Sequence, residues 1–309
     1  MHDSVIQING LVKKYGDKSV INELDLEIFK GECFGLLGPN GAGKSSTMQV
    51  LYGSNRMSAG DVYILGLNVR RNMKEIKSRI GIVPQDDGLD FDFNVRENLE
   101  LFGSYHQLKG KQLQDKVEDL LRLVRLEAYA DSNIDALSGG MKRRLAIARG
   151  IINSPEILIL DEPTTGLDPQ ARIWIWEFIK NIKAEGGTVF LSTHYMEEAE
   201  QICDRIGIMD KGKILSVGSP THMIQNHIGH QVVEVEVDPK DIGYYQGRLD
   251  ANKLNYQVIH NHINVHLQKD QDPKKVLDII HGKKVTMRAP SLNDVFLKLA
   301  GHDLRDEPI

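Results

Sequence analysis

The stretch GPNGAGKSS, residues 38–46, holds the strongest chemical signal in the chain. Gly38, Pro39, Asn40, Gly41, Ala42, Gly43, Lys44 and Ser45 fit the spacing G-x-x-x-x-G-K-[ST], and Ser46 follows. The glycines let backbone N–H groups turn toward one point and let a phosphate come close. A helix starting behind Gly43 adds partial positive charge at its N-terminus. Lys44 supplies a full charge for β- and γ-phosphates, and the Ser45 hydroxyl suits Mg²⁺. The chemistry expected is binding of a nucleoside triphosphate.

An acidic pair supplies what hydrolysis would need. ILILDEP places Asp161 and Glu162 at the end of an apolar run. Asp161 is expected to reach the Mg²⁺ through water, and Glu162 to polarise the attacking water or act as general base. Neighbouring side chains on a strand point opposite ways, so Glu162 needs a bend after the strand, which Pro163 could help set. Gln85, in GIVPQ, is a candidate for contact with the metal and the attacking water. His194, in FLSTH, is a candidate for a hydrogen bond to the γ-phosphate. Each is weak alone and gains its meaning from the set.

These residues require strands to present them. ECFGLLG (32–38) reads as a buried strand entering the Gly-rich turn, with a helix from Gly43 to about Tyr52. Residues 5–12 and 19–28 alternate as strands at a sheet edge. Short strands flank the basic stretch RRNMKEIKSR within 61–83. Helices are expected over 94–107 and 111–126, and from Gly140 to before Pro155. The continuous apolar run 156–161 suits the middle of a parallel sheet. A helix (169–184), a strand (188–193), a helix (195–204) and strands at 205–209 and 213–217 continue an α/β alternation. After residue 228 the pattern changes. Alternating strands at 231–238 and 256–267 and helices at 272–282 and 291–301 predict a small α+β domain. The expected division is 1–228 and 229–309.

LSGGMKRRLAIARG, from Leu137 to Gly150, raises a further question. It too looks like a phosphate-binding helix start, but it lacks the lysine and the following Ser or Thr. Ser138, Gly139 and Gly140 can offer only a hydroxyl, backbone N–H groups and a helix N-terminus to a phosphate held elsewhere.

In order, GPNGAGKSS, VPQ, LSGG, ILILDEP, TGLDP and STH resemble the nucleotide-binding subunit of ATP-binding cassette (ABC) transporters, over about residues 4–225. The resemblance implies a P-loop NTPase fold with a RecA-like core, an antiparallel β subdomain and an α-helical subdomain. It implies Tyr15 stacked on adenine and Asp168 in contact with a partner subunit. Family members dimerise head to tail, so Ser138, Gly139 and Gly140 would meet the partner's ATP. Met141 departs from the glutamine common in the family, and LSGGMKRRL resembles the variant of one subgroup. That subgroup comprises bacterial exporters with a separate six-helix membrane subunit. VPQDDGLDFDFNVRENLELFG (83–103) and PSLNDVFLKLAG (290–301) resemble its drug- and lipo-oligosaccharide-exporting members, including the nodulation-factor and daunorubicin-resistance types. The implied setting is the cytoplasmic face of the cell membrane, with ATP and Mg²⁺, a homodimer and a separately encoded permease.

The bulk numbers agree. The 309 residues carry a formal net charge of −5, so no global basic field invites nucleic acid. Cys33 and Cys203 form no disulfide framework and suggest a reducing compartment. MHDSVIQING lacks the basic and apolar regions of a secretory signal. No apolar run approaches a bilayer span of roughly 20 residues, so a membrane role needs another chain. An importer ATPase fits the catalytic motifs equally well, and the C-terminal domain and residues 83–103 argue against it. A soluble cassette ATPase on ribosomes or DNA would show fused cassettes or long coiled coils, and neither is present. Two features stay open. Residues 86–106, with Phe91, Phe93, Phe102 and Tyr105, form either a groove for the membrane partner or a local aromatic core. His260, His262 and His266 form either a metal-binding row or half-exposed residues of one strand.

Overall fold

The computed structural model describes residues 3–281 and 284–301. The chain divides into two compact units between Ser216 and Val217. The first unit begins with β1 (Ser4–Tyr15), β2 (Lys18–Phe29), β3 (Cys33–Leu37), α1 (Lys44–Leu51), β4 (Ala59–Ile64), β5 (Leu67–Asn68) and α2 (Val69–Arg79). It continues with β6 (Ile80–Val83), α3 (Val95–Tyr105), α4 (Gly110–Val124), α5 (Gly139–Gly150) and β7 (Ile157–Asp161). It closes with α6 (Pro169–Ala184), β8 (Thr188–Thr193), α7 (Met196–Ile202), β9 (Arg205–Asp210) and β10 (Lys213–Gly218), the last crossing the division.

Two sheets form the first unit. One has the order β2-β1-β4-β5 and is antiparallel. The other has the order β10-β9-β3-β8-β7-β6, with parallel pairing from β9 to β6. Its strands β3, β7 and β8 are buried along their whole length, which explains their unbroken apolar sequences. One buried cluster joins the sheets, running from Ile6, Ile8 and Leu26 through Met48 and Leu51 of α1 to Phe34 and Phe190. It anchors α1, and with it the start of that helix.

Register decides what meets at the sheet's edge. Leu37 pairs with Thr193, and Asp161 with Ser192. Gly38, Glu162 and His194 therefore leave neighbouring parallel strands side by side at their carboxyl ends, where ligands bind in open α/β sheets. The basic stretch expected only to lie between strands is itself helical. It forms most of α2, whose first turn is capped by the Asn68 side chain accepting from Arg70 N at 3.0 Å.

The second unit contains α8 (Pro220–His227), β11 (Gln231–Glu236), α9 (Ile242–Ala251), β12 (Asn255–Ile259), β13 (His262–Leu267), α10 (Pro273–Ile279), β14 (Lys284–Arg288) and α11 (Leu292–Ala300). Its antiparallel sheet has the order β12-β13-β11-β14. Val233, Val235, Ile263 and Val265 bury one face against Tyr245, Leu249, Val276 and Ile279. The division falls ahead of the 228/229 boundary expected from sequence because α8 packs on α11, where Lys298 Nζ donates to His227 O. The run 256–267 is a hairpin, not one strand. Its turn contains His260, at φ +53°, so His260 does not share a strand face with His262 and His266. Among the described residues, no group of three or more His, Cys, Asp and Glu side chains could hold a metal.

Candidate nucleotide-binding site

Between β3 and α1 the backbone folds into a tight loop. A Cβ on Gly38 would lie 2.2 Å from Met209 O, so only glycine fits there. Gly43 caps α1 at φ +108°, a conformation that favours glycine, and no side chain covers the helix start. The first N–H groups of α1 thus remain presented to a ligand. Gly38 N donates to Thr193 O at 3.3 Å and Gly212 N to Ala42 O at 2.9 Å, which ties the loop to the strands beside it.

Lys44 is only 4% exposed. Its Nζ donates to Gly38 O at 2.9 Å and Pro39 O at 3.1 Å, and lies 3.3 Å from Glu162 Oε1. Burial lowers its pKa, against the opposing pull of Glu162 and Asp161. Ser45 Oγ donates to Asp161 Oδ1 at 3.3 Å, and Ser192 Oγ donates to the same oxygen. Burial raises the Asp161 carboxyl, while the two hydroxyls and Lys44 hold it back.

The bend that Glu162 needs lies in Glu162 itself, at φ +45°, rather than in Pro163. Its N–H donates to Ser192 Oγ at 3.0 Å. This left-handed turn brings the carboxylate back to the site, where Oε2 accepts from Thr165 Oγ1 at 3.1 Å and lies 3.3 Å from His194 Nδ1. Burial would raise this carboxyl. Contact with His194 and the charge of Lys44 outweigh that and hold it at about 2.

An open cavity of about 480 Å³ is lined by Val20, Asn40, Gly41, Gly43, Lys44, Ser45, Ser46, Gln85, Glu162, Thr165 and His194. Residues 40, 41 and 43–46 of the phosphate loop thus share one space with Gln85, Glu162 and His194. Val20 and Thr165 were missed by sequence reasoning, since neither type carries a nucleotide signal. The oxygen-only set of Ser45 and Asp161, with Gln85 beside them, fits a hard cation such as Mg²⁺.

The remaining residues lie elsewhere. Tyr15 is 44% exposed and outside the cavity lining. Its Oη accepts from Asn55 Nδ2 at 2.9 Å, and Lys13 Nζ sits 4.4 Å from its ring centre. Ser138, Gly139, Gly140 and Asp168 do not line the cavity either. Gly140 and Asp168 lie side by side: a Cβ on Gly140 would lie 3.8 Å from Asp168 Oδ2. Ser138 caps α5 by accepting from Met141 N at 3.3 Å, and Asp168 caps α6 by accepting from Ala171 N at 2.9 Å.

The chain resembles known proteins along nearly its whole length. The family model described as ABC transporter matches residues 21–165. A protein of Cupriavidus metallidurans named Nod factor export ATP-binding protein I is 41% identical, covering 98% of this chain and 99% of its own length. One of the same name from Rhizobium meliloti is 42% identical, covering 97% and 89%. Among solved structures, cbiO1 of Clostridium perfringens, part of an ABC transporter complex, is 28% identical with a TM-score of 0.64, covering 70% of this chain and 89% of its own. A dimeric ATP-binding cassette in a post-hydrolysis state with ADP and phosphate is 26% identical with the same TM-score of 0.64, covering 69% and 98%. With near-full-length relatives above 40% identity, the chain belongs to the ABC transporter family of ATP-binding proteins.

Proposed function

We propose that this chain is the ATPase subunit of an export-type ABC transporter, working as a homodimer at the cytoplasmic face of a membrane against a separately encoded permease. The observation that carries the reading is the convergence of Lys44, Ser45, Gln85, Glu162 and His194 on one cavity. Export rather than import is the direction named for the relatives. Among the described residues no helix is long and apolar enough to cross a membrane. The cargo class is a drug, lipid or oligosaccharide.

The roles follow from chemistry. Lys44 and the N–H groups of residues 38–46 hold the β- and γ-phosphates. Ser45, Asp161 and Gln85 hold Mg²⁺, which when bound neutralises charge on the phosphate oxygens. Glu162 orients the attacking water and accepts its proton, and His194 holds the γ-phosphate. Tyr15 stacks on adenine. Ser138, Gly139, Gly140 and Asp168 act on the partner subunit's side of the dimer. ATP between two copies favours the closed dimer, and loss of the γ-phosphate link reopens it.

Residues 86–106 divide between the two readings left open. Val95 and Leu99 are core, while Phe91, Phe93 and Tyr105 are 58%, 36% and 68% exposed. The exposed set is the proposed grip on the permease. The deciding experiment for the whole reading is Glu162→Gln in the full chain. Retained ATP binding, an ATP-trapped dimer and loss of turnover are expected, and turnover at the wild-type rate sinks the assignment.

A further inference from the structure

The charged run MKRR, residues 141–144, opens α5 behind the Ser138 cap. Lys142 lies 5.3 Å from the Phe91 ring centre and Arg144 4.8 Å from that of Trp174. Arg143 turns inward and is 4% exposed. Its Nε donates to Pro163 O at 2.9 Å and its Nη2 to Asp161 O at 3.0 Å. Its Nη1 donates to Pro84 O at 2.6 Å, to Gln85 O at 3.4 Å and to Asp87 Oδ1 at 3.2 Å.

Two of these acceptors frame Glu162. Asp161 O and Pro163 O are the carbonyls on either side of the left-handed residue, whose own N–H is held by Ser192. A non-glycine residue in that conformation costs on the order of 1 kcal/mol and persists only where its surroundings over-determine it. The fork of Arg143 is part of that surrounding. A burying cost accompanies it, because the guanidinium has one carboxylate partner and otherwise carbonyl dipoles. Stability alone would be served by an apolar side chain. What only a planar multi-donor group achieves is to fix three segments together: the start of α5, the turn after β7 and the loop after β6.

We propose that Arg143 is a positioning residue for Glu162: it locks the left-handed turn that aims the carboxylate, and ties that turn to the helix start bearing Ser138. This inference rests on the roles proposed above for Glu162 and Ser138. Disturbance of α5 at Ser138 reaches Glu162 through the Arg143 fork.

The test uses the full chain with Mg²⁺ and ATP. Arg143→Gln lowers kcat by about 10- to 100-fold, the scale of a misplaced reacting group. ATP binding and KM change by less than about threefold, since phosphate contacts are untouched. In a Glu162→Gln background the same change lowers residual turnover no further, because its effect passes through Glu162. Wild-type kcat in Arg143→Gln, or an added loss on top of Glu162→Gln, overturns the proposal. Should Arg143→Gln not fold, Asp87→Asn decides: its side chain is 30% exposed, so the core stays filled. There kcat falls several-fold at unchanged ATP affinity, and an unchanged kcat overturns the proposal. The Glu162 assignment fails separately, through Glu162→Gln alone turning over normally.

Discussion

The glycine-bearing starts of α1 and α5 both stand in the first unit, and they are built in opposite ways. At α1 the cap is Gly43 in a left-handed conformation, with no side chain over the first N–H groups. Lys44 is buried there, with Glu162 at 3.3 Å and Asp161 reached through Ser45. At α5 the cap is Ser138, exposed, with its oxygen accepting from Met141 N. The first inward charge is Arg143, and it is spent on carbonyls and Asp87. A serine hydroxyl that accepts keeps its own hydrogen to donate. The same backbone device therefore yields one start with a buried lysine beside two carboxylates and a serine hydroxyl, and another that offers only donors. In the proposed function the first holds a phosphate and the second completes one held by another copy.

Substitutions at the two starts should separate these tasks. The largest effect is expected from Lys44→Ala. ATP affinity should fall on the order of 100-fold and turnover by about 10³ or more, because a buried charge on the phosphates is lost. Equilibrium binding of a fluorescent ATP analogue and steady-state phosphate release measure both. Equal losses in Ser138→Ala would erase the distinction. Instead Ser138→Ala should spare nucleotide binding and lower turnover by about 100-fold, the cost of one donor removed from a developing charge. It should also cost about 1 kcal/mol of stability through the lost cap, read by denaturant unfolding.

Acid should affect the first start alone, through the smallest of the three effects. The Glu162 carboxyl is held at about 2, below the ordinary 4.5. Its stabilisation is thus complete above pH 4.5 and lost as pH falls toward 2. By pH 3 about 2 kcal/mol should be gone. Thermal unfolding across pH 2–6 should show a shallower acid limb in Glu162→Gln than in the parent chain. Superimposable limbs would show that the carboxylate is not held in this way.

Much of the site was legible because its chemistry is local. The glycine spacing, Lys44 and Ser45 occupy one loop, and the apolar runs of β7 and β8 announce buried parallel strands. The left-handed turn at Glu162 was not legible in place. A bend was required, but the sequence pointed to Pro163, and only contacts from Ser192 and Arg143 place it at Glu162. The inward turn of Arg143 was not legible within the charged run MKRR, since inward and outward positions on a helix start look alike without the neighbours. The second unit misled for a similar reason. Alternation continued through residues 256–267, yet His260 turns the chain at φ +53°, and a strand and a hairpin share the same period on each arm.

The sequence by itself determined which groups the protein possesses and which short segments present them: a phosphate loop, an acidic pair after a buried strand, and a capped helix start without the phosphate-loop lysine. These follow from spacing, caps and periodicity, which act over a few residues. The tertiary structure decided which of them meet. Gly38, Glu162 and His194 come together because β3, β8 and β7 are neighbours in register, although far apart along the chain. Gly140 comes instead to Asp168, outside that cavity. Strand order and register are settled by burial across the whole sheet, and no local pattern encodes them.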